Sequence, residues 1–103
     1  MQVVIQYFDD CPSWEEARDL VSAAATALNL DTAVELLKIE GDEEARRVGF
    51  RGSPSILVNG YDLFPTEDSP IGLSCRVYQV NGKPAGVPSM EQLVEVLRPF
   101  APE

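Results

Sequence analysis

The apolar positions in the first third of the chain follow two different spacings. Residues 3–8 form a nearly continuous apolar run, which is typical of a strand covered on both faces. Residues 33–39 are predicted to form a second strand, parallel to the first because a helix connects the two. The helix is predicted from apolar residues spaced by three and four, which would face the core: Trp14, Ala17, Val21, Ala24 and Leu28.

The middle of the chain predicts shorter elements. A short helix is expected over residues 43–48, with Asp42 as its N-cap and Gly49 at its end. Residues 55–58 are predicted to form a third strand, which the turn residues Asn-Gly follow. Residues 76–80 are predicted to form a fourth strand of the same sheet.

One irregular segment is expected to precede the fourth strand. Residues 61–75 contain two prolines and no clear periodicity, and we predict an inserted loop, since segments of this length are often functional. Beyond the fourth strand, residues 83–87 would complete a hairpin, and Ser89 would cap a final helix. The predicted order of elements is β-α-β-α-β-β-α.

Length and composition favour one domain over residues 1–103. The chain has 103 residues, of which 45% are hydrophobic, enough for one buried core and too few for a second. No apolar run approaches the roughly 20 residues that span a bilayer, and no signal-peptide pattern stands at the start. The resulting expectation is a soluble, cytoplasmic protein.

Charge and residue types exclude several classes of function. The net charge is −9, from 17 acidic and 8 basic residues, which disfavours binding to nucleic acids and to anionic membranes. The absence of histidine excludes Ser-His-Asp and Cys-His catalysis and most zinc sites. The two cysteines, Cys11 and Cys75, leave thiol chemistry as the main candidate, with no cofactor expected.

Cys11 lies between the first predicted strand and the first predicted helix. Pro12 follows at what is expected to be the first helical position, where free N–H groups and the helix dipole favour a thiolate. Four neighbouring carboxylates oppose this effect: Asp9, Asp10, Glu15 and Glu16. From these residues, Cys11 is either an activated nucleophile or a small buried residue that begins a helix.

Two segments of the chain resemble the thioredoxin superfamily: residues 7–14, YFDDCPSW, and residues 49–58, GFRGSPSILV. The resemblance implies a thioredoxin-like α/β fold, with a four-stranded mixed sheet and helices on both faces. It further implies that Cys11 is the nucleophile and that Pro54 forms a cis peptide bond facing it. The sequence departs from the family at Trp14, which replaces the usual second cysteine.

A narrower resemblance concerns small thioredoxin/glutaredoxin-like proteins, some of them labelled alkylmercury lyase. These proteins are similar to this chain in the start FDDCPSW and in the segment GLSCRVY at residues 72–78. The resemblance adds chemistry on mercury or organomercurials as an alternative.

Cys75 is the candidate for the missing resolving thiol. The long loop before it could bring it to Cys11, while the other interpretation is a buried structural cysteine. Arg76 would hold a thiolate or an anionic substrate. Ser53, which precedes Pro54, would offer its backbone N–H and C=O to an extended partner.

The remaining candidates surround Cys11. Pro12 and Trp14 are candidates for contact with substrate, although Trp14 would more simply pack as the first apolar residue of the helix. Asp9 or Asp10 would transfer protons in place of histidine, or would be solvated loop carboxylates.

The leading hypothesis is a thiol–disulfide oxidoreductase in which Cys11 attacks and Cys75 resolves, with a protein or small-molecule thiol or disulfide as partner. Two alternatives remain open. The two thiolates and a carboxylate could bind or cleave soft-metal compounds. The chain could also be a binding module that kept the fold without catalysis.

Overall fold

The computed structural model describes residues 1–66 and 70–102, so residues 67–69 of the predicted loop lie outside the described part. The helices are α1 (Trp14–Ala27), α2 (Asp42–Val48) and α3 (Met90–Leu97), and a 3₁₀ turn, Arg98–Phe100, follows the last. The strands are β1 (Val3–Tyr7), β2 (Val34–Lys38), β3 (Ser55–Val58), β4 (Tyr61–Asp62), β5 (Tyr78–Val80) and β6 (Lys83–Ala85).

A four-stranded mixed sheet has the strand order β2-β1-β3-β4. β1 runs parallel to β2, with Ile5 beside Leu36, and antiparallel to β3, with Ile5 beside Ile56. The parallel pairing of the first two strands is confirmed, and it follows from the crossover through α1. β1 is therefore an inner strand of the sheet, and the residues that follow it leave the sheet between β2 and β3.

The predicted fourth strand of the sheet is wrong. β4, the two-residue strand directly after the Asn59-Gly60 turn, pairs with β3, whereas β5 and β6 form a hairpin of their own. Asn59 and Gly60 both have positive φ, 52° and 87°, which lets a two-residue turn reverse the chain at once. The segment predicted to be an insertion therefore begins inside the sheet.

Helix boundaries differ slightly from the prediction. α1 begins at Trp14, and Ser13 precedes it as N-cap, so Pro12 lies outside the helix and not at its first position. α2 is capped by Gly41, and Asp42 is its first residue. The predicted cap of the last helix is confirmed: the Ser89 side chain accepts a hydrogen bond from the N–H of Gln92.

The main core lies where α1 and α3 pack against the sheet. Its fully buried members are all apolar: Val3, Ile5, Val21, Ala24, Ile56, Val58, Leu93 and Leu97. A second cluster joins Ile39, Ala45 and Phe50 to Phe8 at the end of β1. This cluster holds the loop after α2 next to Phe8, the first of residues 8–11, which we call the Cys11 segment. Within the described part of the chain, no helix is long and apolar enough to cross a membrane.

Candidate functional site

The loop between α2 and β3 reaches the Cys11 segment through Ser53 and Pro54. The Ser53–Pro54 peptide bond is cis, as the resemblance implied, and both residues are fully buried. The Sγ of Cys11 donates a hydrogen bond to the carbonyl oxygen of Ser53 over 3.3 Å. The oxygen of the Ser53 side chain has no hydrogen-bond partner among the described residues, so Ser53 acts here through its backbone.

Residues 74–76, which we call the strap, pair with Ser53 as a short parallel bridge. The N–H of Ser53 donates to the carbonyl oxygen of Ser74 over 2.8 Å, and the N–H of Arg76 donates to the carbonyl oxygen of Ser53 over 2.9 Å. The backbone groups predicted to bind an extended partner are therefore bonded to the chain's own strap. That Ser53 also offers them to a partner stays a prediction.

The strap brings Cys75 to Cys11. Both cysteines are free thiols; Cys11 is 1% exposed, whereas Cys75 is exposed. The Cys11 side chain beside it raises the pKa of Cys75 to about 11, with a further contribution from partial burial. The Cys75 thiol therefore stays protonated at neutral pH. Of the two interpretations of Cys75, the structure favours a thiol beside Cys11 over a buried structural cysteine.

Arg76 anchors the strap through contacts inside the protein. Its guanidinium, 3% exposed, pairs with Asp62 at 2.7 Å between Nη1 and Oδ2. Nη1 also lies 3.3 Å from the Oγ of Ser55, and Nη2 donates to the carbonyl oxygen of Phe64. With its hydrogen bonds directed into the protein, Arg76 fixes the strap on β4, and its role in holding a thiolate or a substrate anion stays a prediction.

Tyr78 fastens the residues after the strap to the same loop. Its hydroxyl donates to the carbonyl oxygen of Pro54 over 2.6 Å, and its ring lies 4.9 Å from the guanidinium carbon of Arg76. Burial raises the pKa of Tyr78 above its ordinary value, so the phenol keeps the proton that it donates. Sequence reasoning missed Tyr78 and Asp62 as site residues, because no local pattern identifies partners 24 and 14 residues away.

Gly52 makes the close approach of the strap possible. Its φ is +120°, and a Cβ at this position would lie 3.1 Å from the Cβ of Arg76. A side chain there meets both backbone strain and a tight contact with the strap.

Gly52→Ala should therefore destabilise the protein by about 2–3 kcal/mol in urea unfolding. The matched control is Gly60→Ala, since Gly60 also has positive φ, +87°, but nothing lies within 4 Å of an added Cβ. We expect about 1 kcal/mol for the control, from backbone strain alone. Equal losses would show that the strap does not press on Gly52.

Pro12 and Trp14 lie beside the thiol pair in the sequence but are held differently. Pro12 is exposed. Trp14 is half-buried and stacks on Tyr7 with 4.4 Å between ring centroids, and the guanidinium of Arg18 lies 5.5 Å from the Trp14 ring. Trp14 thus covers the end of β1 and belongs to neither buried cluster.

The two aspartates before Cys11 are exposed. Asp9 forms an ion pair with Lys38 at 2.6 Å, and this hydrogen bond raises the pKa of Lys38. Among the described residues, no hydrogen bond or ion pair joins Asp9 or Asp10 to Cys11. With Lys38 and Leu73 they line a cavity of about 230 Å³ next to the Cys11 segment. Their predicted role in proton transfer receives no support from these contacts.

The soft-metal alternative combines the two thiols with a carboxylate from Asp9 or Asp10. No group of three or more cysteine or carboxylate side chains suited to a metal ion occurs in the described ranges. Asp9 is bonded to Lys38. The arrangement brings together two cysteines and the Ser53 backbone carbonyl.

Comparison of the chain with protein-family models, curated proteins and solved structures finds no match.

Proposed function

We propose that the chain is a thiol–disulfide redox protein with a thioredoxin-like fold, and that Cys11 and Cys75 form its redox pair. The strand order β2-β1-β3-β4, with only β1 and β2 parallel, supports this fold. So does the position of Cys11 in the loop between the inner strand β1 and α1. In this proposal, α2 lies on the sheet face opposite to α1 and α3.

The observation that carries the proposal is the position of both cysteines at Ser53. Cys11 bonds to the Ser53 carbonyl, Cys75 is paired with Ser53 through the strap, and the neighbouring Cys11 side chain raises the pKa of Cys75. Two thiols held together in this way can exchange with a disulfide and close into a disulfide of their own. Cys75 therefore supplies the resolving thiol that Trp14 displaces from the usual position.

The reaction is a two-electron exchange. A substrate disulfide forms a mixed disulfide with one thiolate of the pair, and one substrate thiol leaves. The second thiolate then attacks the mixed disulfide, which closes the Cys11–Cys75 bond and releases the other substrate thiol. The pair loses two electrons and two protons, and the substrate gains both.

The test is peptide mapping by mass spectrometry after mild oxidation with oxidised glutathione in metal-free buffer at neutral pH. We expect an intramolecular Cys11–Cys75 disulfide in the parent, fully reversed by reduced dithiothreitol. The control is Cys75→Ser, which should give no intramolecular cross-link. If both parent thiols stay free while the fold is intact, the redox proposal is wrong, and a binding module without catalysis becomes the better explanation.

A further inference from the structure

The two thiols differ sharply in access. Cys11 is 1% exposed and its sulfur is bonded to the Ser53 carbonyl, whereas Cys75 is exposed. The rate of thiol–disulfide exchange depends on access to the sulfur that reacts. An outside thiol or disulfide can therefore reach Cys75 directly. It reaches Cys11 only if the strap moves away.

The strap next to Cys11 is firmly held. Its backbone makes two hydrogen bonds with Ser53, and the buried ion pair of Arg76 with Asp62 fixes its end. Arg76 also packs against Gly52, where an added methyl group would lie only 3.1 Å from the Cβ of Arg76. Lifting the strap would expose the Arg76 backbone and side chain together, so we expect it to stay closed during most encounters.

We propose that external thiols and disulfides react at the Sγ of Cys75, and that Cys11 exchanges only with Cys75. This inference rests on the proposed redox pair and reverses the roles that the resemblance implies, in which Cys11 meets the substrate. Because the Ser53 backbone is already bonded to the strap, the partner need not add to it as an extended strand. A small thiol, or a cysteine that protrudes from a protein surface, is sufficient.

Reduction of the oxidised pair then follows one order. An outside thiolate attacks the Sγ of Cys75, the Cys11–Cys75 bond breaks, and Cys11 leaves with the electron pair and takes up a proton. A second outside thiolate attacks the outside sulfur of the mixed disulfide, so that Cys75 is released and an outside disulfide forms. Two outside thiols are oxidised and the pair is reduced.

The first experiment uses the oxidised parent and reduced glutathione as the probe. The reaction is stopped with acid at early times, and the mixed disulfide is located by peptide mapping. We expect the glutathione on Cys75 in nearly all of the trapped adduct. Glutathione on Cys11 would overturn the inference while leaving the redox pair itself intact.

The second experiment does not depend on disulfide formation. Cys11→Ser and Cys75→Ser each leave one thiol, and both are treated with N-ethylmaleimide in native buffer and in concentrated guanidinium chloride. We expect the thiol of Cys11→Ser to react roughly 100-fold faster than that of Cys75→Ser in native buffer, with equal rates after denaturation. Equal native rates, with circular dichroism showing both variants folded, would contradict the inference.

Discussion

Asp62→Ala is expected to destabilise the protein by about 3–5 kcal/mol, because it leaves the Arg76 guanidinium buried without its counter-charge. The guanidinium is 3% exposed, so it depends on the carboxylate of Asp62 and not on bulk water to compensate its charge. The loss is measured as the change in the free energy of unfolding in urea. The same variant should loosen the strap, and N-ethylmaleimide should then label Cys11 faster than in the parent.

The matched change is Arg76→Met, which removes the other member of the ion pair. Asp62 would keep its hydrogen bond from the N–H of Phe64, at 2.8 Å, and its access to water. We therefore expect a smaller loss, about 1–2 kcal/mol, mainly from the hydrogen bonds that Arg76 made. If Arg76→Met lowers the free energy of unfolding as much as Asp62→Ala does, the unpaired charge of Arg76 is not the main cause of the loss in Asp62→Ala.

The main helices and strands could be predicted from the spacing of the apolar residues, because each element buries one face in the core. The residues of α1 that lie in the core, Val21 and Ala24, come from the stripe that predicted the helix. The parallel pairing of β1 and β2 follows in the same way, since a helical crossover leaves no other simple connection.

The error in the fourth strand has a different origin. Tyr78 and Val80 lie in a segment with the alternation of a strand, and a strand does form there, but it pairs with β6. Alternation predicts that a segment is extended and does not identify its neighbour. The Asn59-Gly60 turn contained the missing information, because a two-residue turn places the next residues against β3.

The two cysteines of the candidate site could be predicted from the sequence, but the residues that hold them in place could not. Cys11 was identified by its place between strand and helix, and the approach of Cys75 was one of two open interpretations. The pairing of the strap with Ser53 depends on where a long loop ends, which no local pattern fixes. Arg76 illustrates the limit: its charge suggested an anion, while its actual partner, Asp62, comes from the other side of the loop.

The alkylation of Cys75 should have an unusually alkaline pH profile. Because the neighbouring Cys11 side chain raises the pKa of Cys75 to about 11, the rate in the parent should reach half its maximum near that pH. At pH 8 this makes Cys75 about 100-fold slower than a thiol of ordinary pKa. Cys11→Ser removes the largest cause of the shift, so the midpoint should move down toward that of an ordinary thiol. An unchanged midpoint would mean that Cys11 does not hold the proton of Cys75.

The same shift links the redox state to stability and to the direction of exchange. The pKa of Cys75 is about 11 in the folded protein against 9.0 for an unperturbed thiol, so its stabilising contribution is complete below pH 9 and is lost toward pH 11. Urea unfolding of the reduced parent should show this decline, and Cys11→Ser should show less of it.

At neutral pH the protonated Cys75 attacks slowly, whereas the Cys75 sulfur of the closed disulfide stays open to attack. We therefore expect glutathione to reduce the oxidised pair faster than oxidised glutathione oxidises the reduced one, measured at equal concentrations by quenched peptide mapping. The opposite order would show that Cys11 initiates the oxidation and that the strap opens to allow it.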